Sequence, residues 1–304
     1  MSMLACVILL LLLIFGTLFA AILDTAIPAW IAGQSGANPL TTPFRRCAQF
    51  LAVQRLTTER PDMLNWLLAP AAYLILAGIG LGVVPLSEGL VFIDLQTGLV
   101  LWGACEALTV VVVFLHGWSA NAPFPLIGAY RYVAIGLPAM LVSMFVVIGV
   151  ALPAQSLSVS AAVEAQRGLW NIVKQPLGLP LFMLLGLSLT LRGPFDYADP
   201  FDLAAGTSAE DSGPLRASWR FARLAMLVSF STMAATLFLG GHHGPGLPGP
   251  LWLALKAAGV MTILVALGHV IARTTPSRML TLLWVLFLPL SFLDLIIAGV
   301  ESLP

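Results

Sequence analysis

Apolar residues come in long uninterrupted blocks along this chain, separated by short polar breaks. Blocks of about 17–25 residues are long enough to cross a bilayer as helices. They fall at residues 3–26, 64–85, 95–117, 125–153, 176–191, 217–239, 250–272 and 276–298, the fifth being the shortest. The blocks are continuous and do not alternate with polar positions. Barrel strands, which need a polar lumen face at every second residue, are therefore excluded, and helices are the spanning option left. The breaks carry turn chemistry: Asn38-Pro39, Gly82 to Pro85, Ser119 to Pro125, Gly193-Pro194, the run GGHHGPGLPGP at 240–250, and Thr275-Pro276. The pattern predicts an all-α, polytopic membrane protein: one membrane domain over residues 1–304, with about eight transmembrane helices.

Two segments need a separate reading. No basic residue precedes the first block, as a secretory signal would require, and its length suits a membrane span. Residues 43–60, PFRRCAQFLAVQRLTTER, place Phe44, Cys47, Phe50, Leu51 and Val53 among four arginines at near-helical spacing. This predicts one amphipathic helix lying in the membrane interface. A solvated basic loop that only fixes topology is the other reading.

Composition agrees with a membrane chain: 59% of residues are apolar and 9% charged, against roughly 25% charged in average soluble domains. Net charge is zero and no basic tract is present, so a nucleic-acid partner is not expected. Cys6, Cys47 and Cys105 lack any metal or disulfide spacing. Arg45, Arg46, Arg55, Arg60, Arg192, Arg216, Arg220, Arg273 and Arg278 fall in or beside the odd-numbered loops, whereas the even-numbered loops hold only Arg167 and Lys174. The excess of positive charge on one side places both termini outside and the fifth loop, residues 192–216, in the cytoplasm. Trp30, Trp66, Trp118, Trp219 and Trp252 stand near block ends, where interfacial anchors are expected.

Candidate chemistry lies in the polar residues that interrupt apolar blocks, because an ionisable group in a span costs at least about 2.5–3.5 kcal/mol. These are Asp24, Glu106, Arg131, Arg223, Lys256, His269 and Asp294. Glu106, in WGACEALTV, has no charged neighbour three or four residues away. Two readings stand for it: a proton relay, or a neutral carboxyl hydrogen-bonded across a helix interface. Arg223, Lys256, His269 and Arg273 are expected to snorkel to an interface. His242-His243 has no third metal ligand in view and reads as a turn. The fifth loop, RGPFDYADPFDLAAGTSAEDSG, holds Asp196, Asp199, Asp202, Glu210 and Asp211. Its first three aspartates are three residues apart and would share a face if helical, although Pro200 argues against a helix. Such a cluster reads as a proton-accepting surface or as a solvated loop. No catalytic motif (GxSxG, HExxH) and no metal site is expected.

The stretch LFMLLGLSLTLRGPFDYADPFDLAAGTSAEDSG resembles the fifth helix and following loop of the H subunit of NADH-quinone oxidoreductase (respiratory complex I), and of the related membrane subunit of energy-converting hydrogenases and formate hydrogenlyase. That family's pattern is near R-A-P-F-D-L-P-E-A-E-x-E-L-V-A-G, then E-Y-S-G. Arg192, Pro194, Phe195 and Asp196 match its start, and Glu210, Ser212 and Gly213 match its end. Asp199 and Asp202 stand where glutamates are usual, with one residue fewer between. GWSANAPFPLIGAYR (117–131), LLAPAAYLILAGIGLGVVPL (67–86), ATLFLGG (235–241) and the C-terminal stretch from 272 to 299 continue the resemblance.

The resemblance implies a non-catalytic membrane subunit in the bacterial cytoplasmic membrane. Such a subunit joins the membrane arm to a hydrophilic redox arm carrying iron–sulfur clusters, and borders other membrane-arm subunits. It binds no cofactor of its own but helps shape a quinone cavity. Arg192, Asp196, Asp199, Asp202 and Glu210 would line the entrance to that cavity, Arg131 would act as counter-ion, and buried carboxylates would lead protons inward. The chain departs from the family at Met140 and Arg223, where buried glutamates are usual in complex I, and Glu106 is the substitute offered. The alternatives are a divergent anchor without proton coupling and a stand-alone transporter.

Overall fold

The computed structural model describes residues 2–33, 38–200 and 206–301, and among these every regular element is helical. Among the described residues, seven helices are long and apolar enough to cross a membrane. They are α1 (Ser2–Ile31), α3 (Met63–Gly82), α4 (Gly98–Ser119), α5 (Pro123–Ala154), α9 (Gly213–Phe238), α10 (Gly249–Val270) and α11 (Pro276–Glu301). Each coincides with an apolar block. Between them lie α2 (Thr42–Ala52), the short α6 (Val159–Glu164) and α7 (Asn171–Lys174), and α8 (Gly178–Leu189).

The fifth block, 176–191, forms only the twelve-residue α8. At 1.5 Å per residue it is about 18 Å long, well short of the roughly 30 Å hydrocarbon core. A helix this short survives in an apolar setting only if its unpaired terminal groups meet protein. Three other helices supply the partners. At the N-terminus, the Asp294 carboxyl of α11 faces the amides of Leu177 and Gly178 and accepts from Gln175 Nε2 at 2.5 Å. At the C-terminus, Tyr73 Oη of α3 donates to the Leu189 carbonyl, and Arg223 Nη2 of α9 donates to the Leu191 carbonyl at 2.6 Å. The acid at the positive end and the cation at the negative end also match the helix dipole. Gly186 lies flush against the Phe230 ring, where a methyl group would collide, so α8 sits directly on α9.

Helix α9 is the axis of the bundle. From Leu224 to Phe238 every residue is buried, and α1, α3, α8 and α10 pack around it. Ser229, Ser231, Thr232 and Thr236 are buried on it, and small side chains of this kind let helices approach closely within a membrane. Hydroxyls of Thr232 and Thr236 donate to the Val228 and Thr232 carbonyls, which satisfies them within the helix.

Two expectations are corrected here. The amphipathic helix ends at Ala52, and the remaining residues to 60 are not helical. They are held there by Leu56 N–H to Ser212 Oγ (2.7 Å), Thr58 Oγ1 to the Ala120 carbonyl (2.5 Å), and Asn121 Nδ2 to the Glu59 and Arg60 carbonyls. Of the expected interfacial tryptophans, Trp30 and Trp118 are exposed, at 81% and 54%, but Trp66 and Trp219 are fully buried. The Trp219 ring face and the indole N–H of Trp66 have partners inside the protein.

Candidate functional site: the acidic loop and the cavity behind it

The ends of α1, α4, α8 and α10 and the starts of α3, α5, α9 and α11 meet on one face, which the acidic loop closes. Residues 193–200 form successive turns and not a helix, since Pro194 and Pro200 remove two amide donors and each aspartate is engaged separately. Asp196 and Asp199 therefore do not share a helical face. Asp199 Oδ2 meets Arg223 Nη1 at 2.9 Å, and its Oδ1 accepts from Ser208 Oγ at 2.6 Å. Asp196 lies 3.6 Å from Arg273, and the neighbouring Tyr197 Oη donates to the Thr274 carbonyl at 2.9 Å, tying the start of the loop to the connection between α10 and α11. Burial raises the Tyr197 phenol above its ordinary pKa, so it remains a donor.

Arg192 lies three residues beyond the end of α8 and pairs with Asp24 of α1 at 2.6 Å, with both side chains largely buried. Arg223 and Arg273 do not snorkel: both pair with loop aspartates. The α5 start approaches the loop: a Cβ on Gly128 would lie 2.7 Å from the Ala198 carbonyl and 2.9 Å from the Thr207 amide. Arg131 itself is half-buried one turn further on. Asp202 lies outside the described residues. Glu210 is half-exposed and forms no ion pair among the described residues.

The end of the loop contains a site that sequence reasoning missed. Asp211 is buried, accepting from Trp66 Nε1 through Oδ1 and facing His116 Nε2 with Oδ2, each at 2.9 Å. The His116 ring stacks on Trp219 at 3.7 Å. Asp211 stood out only as one of the loop acids; the further signal was an ionisable residue, His116, within the last turn of an apolar block.

Behind the loop is a cavity of about 570 Å³ between α1, α2, α9 and α10. Arg46, Arg192, Arg216, Arg220 and Arg223 line it against two carboxylates, Asp24 and Asp199. Arg216 and Arg220 both lie 5.7 Å from the centre of the Phe50 ring, which holds α2 against α9 by cation–π contact. His269 and Trp219 complete the wall. This is a partly apolar chamber with an excess of cations and two fixed ion pairs, roofed by the loop.

Glu106 stands apart from this network. It is buried at 2% exposure between α4 and α5, where Oε2 accepts from Ser143 Oγ at 3.0 Å. The same hydroxyl contacts the Met140 carbonyl at 2.9 Å, so the Glu106 carboxyl lies beside the turn of α5 that carries Met140.

The protein-family description "NADH dehydrogenase" matches residues 3–299. The chain is 35% identical over 254 residues to an H subunit of NADH-quinone oxidoreductase from Rhodopseudomonas palustris (strain HaA2), covering 82% of this chain and 80% of that protein. It is 35% identical to an H subunit of the same enzyme from Cereibacter sphaeroides (strain ATCC 17029) over 78% of this chain and 76% of that one. Identity to the H subunit from Syntrophotalea carbinolica is 28%, over 87% and 83%. With a match across nearly its whole length and relatives at this level of identity, the chain belongs to the NADH dehydrogenase family, as a divergent member similar to the H subunit of NADH-quinone oxidoreductase.

Proposed function

We propose that this subunit joins a hydrophilic redox arm to a membrane arm and couples electron transfer to ion translocation, with a quinone as the electron acceptor at the cavity. The observation that carries this reading is the chamber of about 570 Å³ roofed by the acidic loop, whose walls hold charged side chains from helices apolar enough to span a membrane. Charges in such a place are costly unless a polar ligand or an ion path needs them. The relatives named as quinone oxidoreductase subunits favour a quinone over a hydrogenase-type acceptor. The loop would face partner subunits carrying iron–sulfur clusters, on the cytoplasmic side of a bacterial membrane, with both termini outside. The distribution of arginines supports that orientation.

Within this reading Glu106 carries the proton that a carboxylate on α5 would otherwise carry at Met140. Support comes from Ser143, whose hydroxyl touches both Glu106 Oε2 and the Met140 carbonyl. The test is Glu106→Gln in the assembled complex, reconstituted in vesicles, with proton movement and electron transfer measured together. Protons moved per electron should fall several-fold while the amount of assembled complex is unchanged. An unchanged ratio would remove Glu106 from the path.

A second reading, an anchor without coupling, is favoured by the pairing of Asp24, Asp196 and Asp199 with Arg192, Arg273 and Arg223. Locked pairs hold a surface in shape. It predicts that Asp199→Asn lowers the yield of co-purified partner subunits and leaves the coupling ratio of the complexes that do form intact.

A further inference from the structure

On the face opposite the acidic loop, the connections between α3 and α4, α5 and α8, and α9 and α10 come together. His242 and His243 follow Gly240 and Gly241, which adopt left-handed backbone angles (φ +70° and +53°) that favour glycine. This double turn swings both imidazoles toward Glu164, the last residue of α6. The turn is firmly held. Gly240 N–H donates to Gln166 Oε1 at 2.9 Å, and Lys256 Nζ donates to the carbonyls of Gly241 and His243 at 2.9 and 2.6 Å. The ammonium also lies over the Trp170 ring at 4.5 Å, so its charge is directed to the back of the loop.

The ligand atoms of Glu164, His242 and His243 all lie within 4.8 Å of one another, and His243 Nε2 is 3.9 Å from Glu164 Oε1. Arg167 engages the other carboxylate oxygen, Oε2, together with Glu88, leaving Oε1 turned to the imidazoles. His242 is only 8% exposed; the Pro85 carbonyl faces its ring, but neither ring nitrogen completes a hydrogen bond of normal length and angle. Its ring faces a pocket of about 170 Å³ that is also lined by Glu88, Asp94 and Glu164. An unpaired buried imidazole costs free energy unless something binds it.

We propose that Glu164, His242 and His243 form a binding site for a divalent transition metal of the zinc class, with the fourth position open to water from the pocket. Two imidazoles and one carboxylate are a common ligand set for such ions. Donors around one tetrahedral ion at about 2.0–2.1 Å sit roughly 3.3–3.4 Å apart, so side-chain rotations moving the ligand atoms by about an ångström close the set. The bound ion would link α6 to the connection between α9 and α10 and replace Arg167 as the main partner of Glu164.

The test uses the subunit in its native complex, free of any polyhistidine tag, stripped with chelator, exposed to Zn²⁺ and dialysed. About one equivalent per chain should remain above that held by complex carrying His242→Ala. Co²⁺ loaded in its place should give visible absorption typical of a low-symmetry site. His243→Ala, which alters a more exposed ring, should weaken retention at least ten-fold, while Cys47→Ser on the opposite face should leave it unchanged. No retained ion in the unsubstituted complex, or retention by the His242→Ala and His243→Ala complexes equal to that of the unsubstituted complex, overturns the proposal.

Discussion

Two carboxylates on candidate membrane helices, Asp24 of α1 and Glu106 of α4, are accommodated in opposite ways. Asp24 meets a guanidinium at 2.6 Å inside a chamber lined by further arginines. Glu106, buried between α4 and α5, meets the Ser143 hydroxyl and forms no ion pair among the described residues. A charge with a bound counter-charge contributes mainly to architecture, because either partner alone is costly. A carboxyl with a neutral partner can gain or lose a proton without breaking the fold. The difference separates the groups that hold the loop in shape from the group suited to carry a proton.

The largest effect is expected from removing one member of the ion pair. Arg192→Met leaves Asp24 without its cation and should cost about 3–5 kcal/mol, measured as loss of folded subunit in membranes. Pairing it with Asp24→Asn should restore most of the yield, because no lone charge is then left. Next comes Asp211→Asn, which weakens two buried charge-assisted contacts and should cost about 1.5–3 kcal/mol. It should be read as a lower thermal midpoint of the purified complex together with a shift in tryptophan fluorescence from Trp66. Tyr197→Phe removes one hydrogen bond at the start of the loop and should cost about 0.5–1.5 kcal/mol, seen as faster proteolysis within residues 192–216. Glu106→Gln keeps an acceptor for Ser143 and should change the thermal midpoint least of all. A large destabilisation there would place Glu106 among the structural carboxylates and erase the distinction.

The helices were legible in the apolar blocks because in lipid each span must satisfy its own backbone, so length and hydropathy suffice. The partners of the charged residues were not, since Asp24 and Arg192 or Arg223 and Asp199 meet only through packing. Arg223 and Arg273 looked like snorkelling residues because a sequence does not reveal which side of a helix faces protein. For the same reason Trp66 and Trp219 read as lipid anchors, although one donates to Asp211 and the other stacks on His116. His242-His243 looked like a bare turn because its third neighbour, Glu164, sits in a different connection. The acidic loop was located by its composition and by its resemblance to a family motif, but its turns, fixed by two prolines and separate cations, had to be seen.

The twelve-residue α8 has a consequence for how the protein is made. As it leaves the ribosome, α8 is too short to settle across a bilayer alone, and the side chains that close its C-terminal end, beyond Tyr73, come from α9, while Asp294 at its N-terminal end arrives with α11. It must therefore wait at the insertion machinery for segments synthesised later. A nascent chain that stops before α9 is expected to leave α8 uninserted, and to expose the acidic loop to quality-control proteases before any partner can reach it.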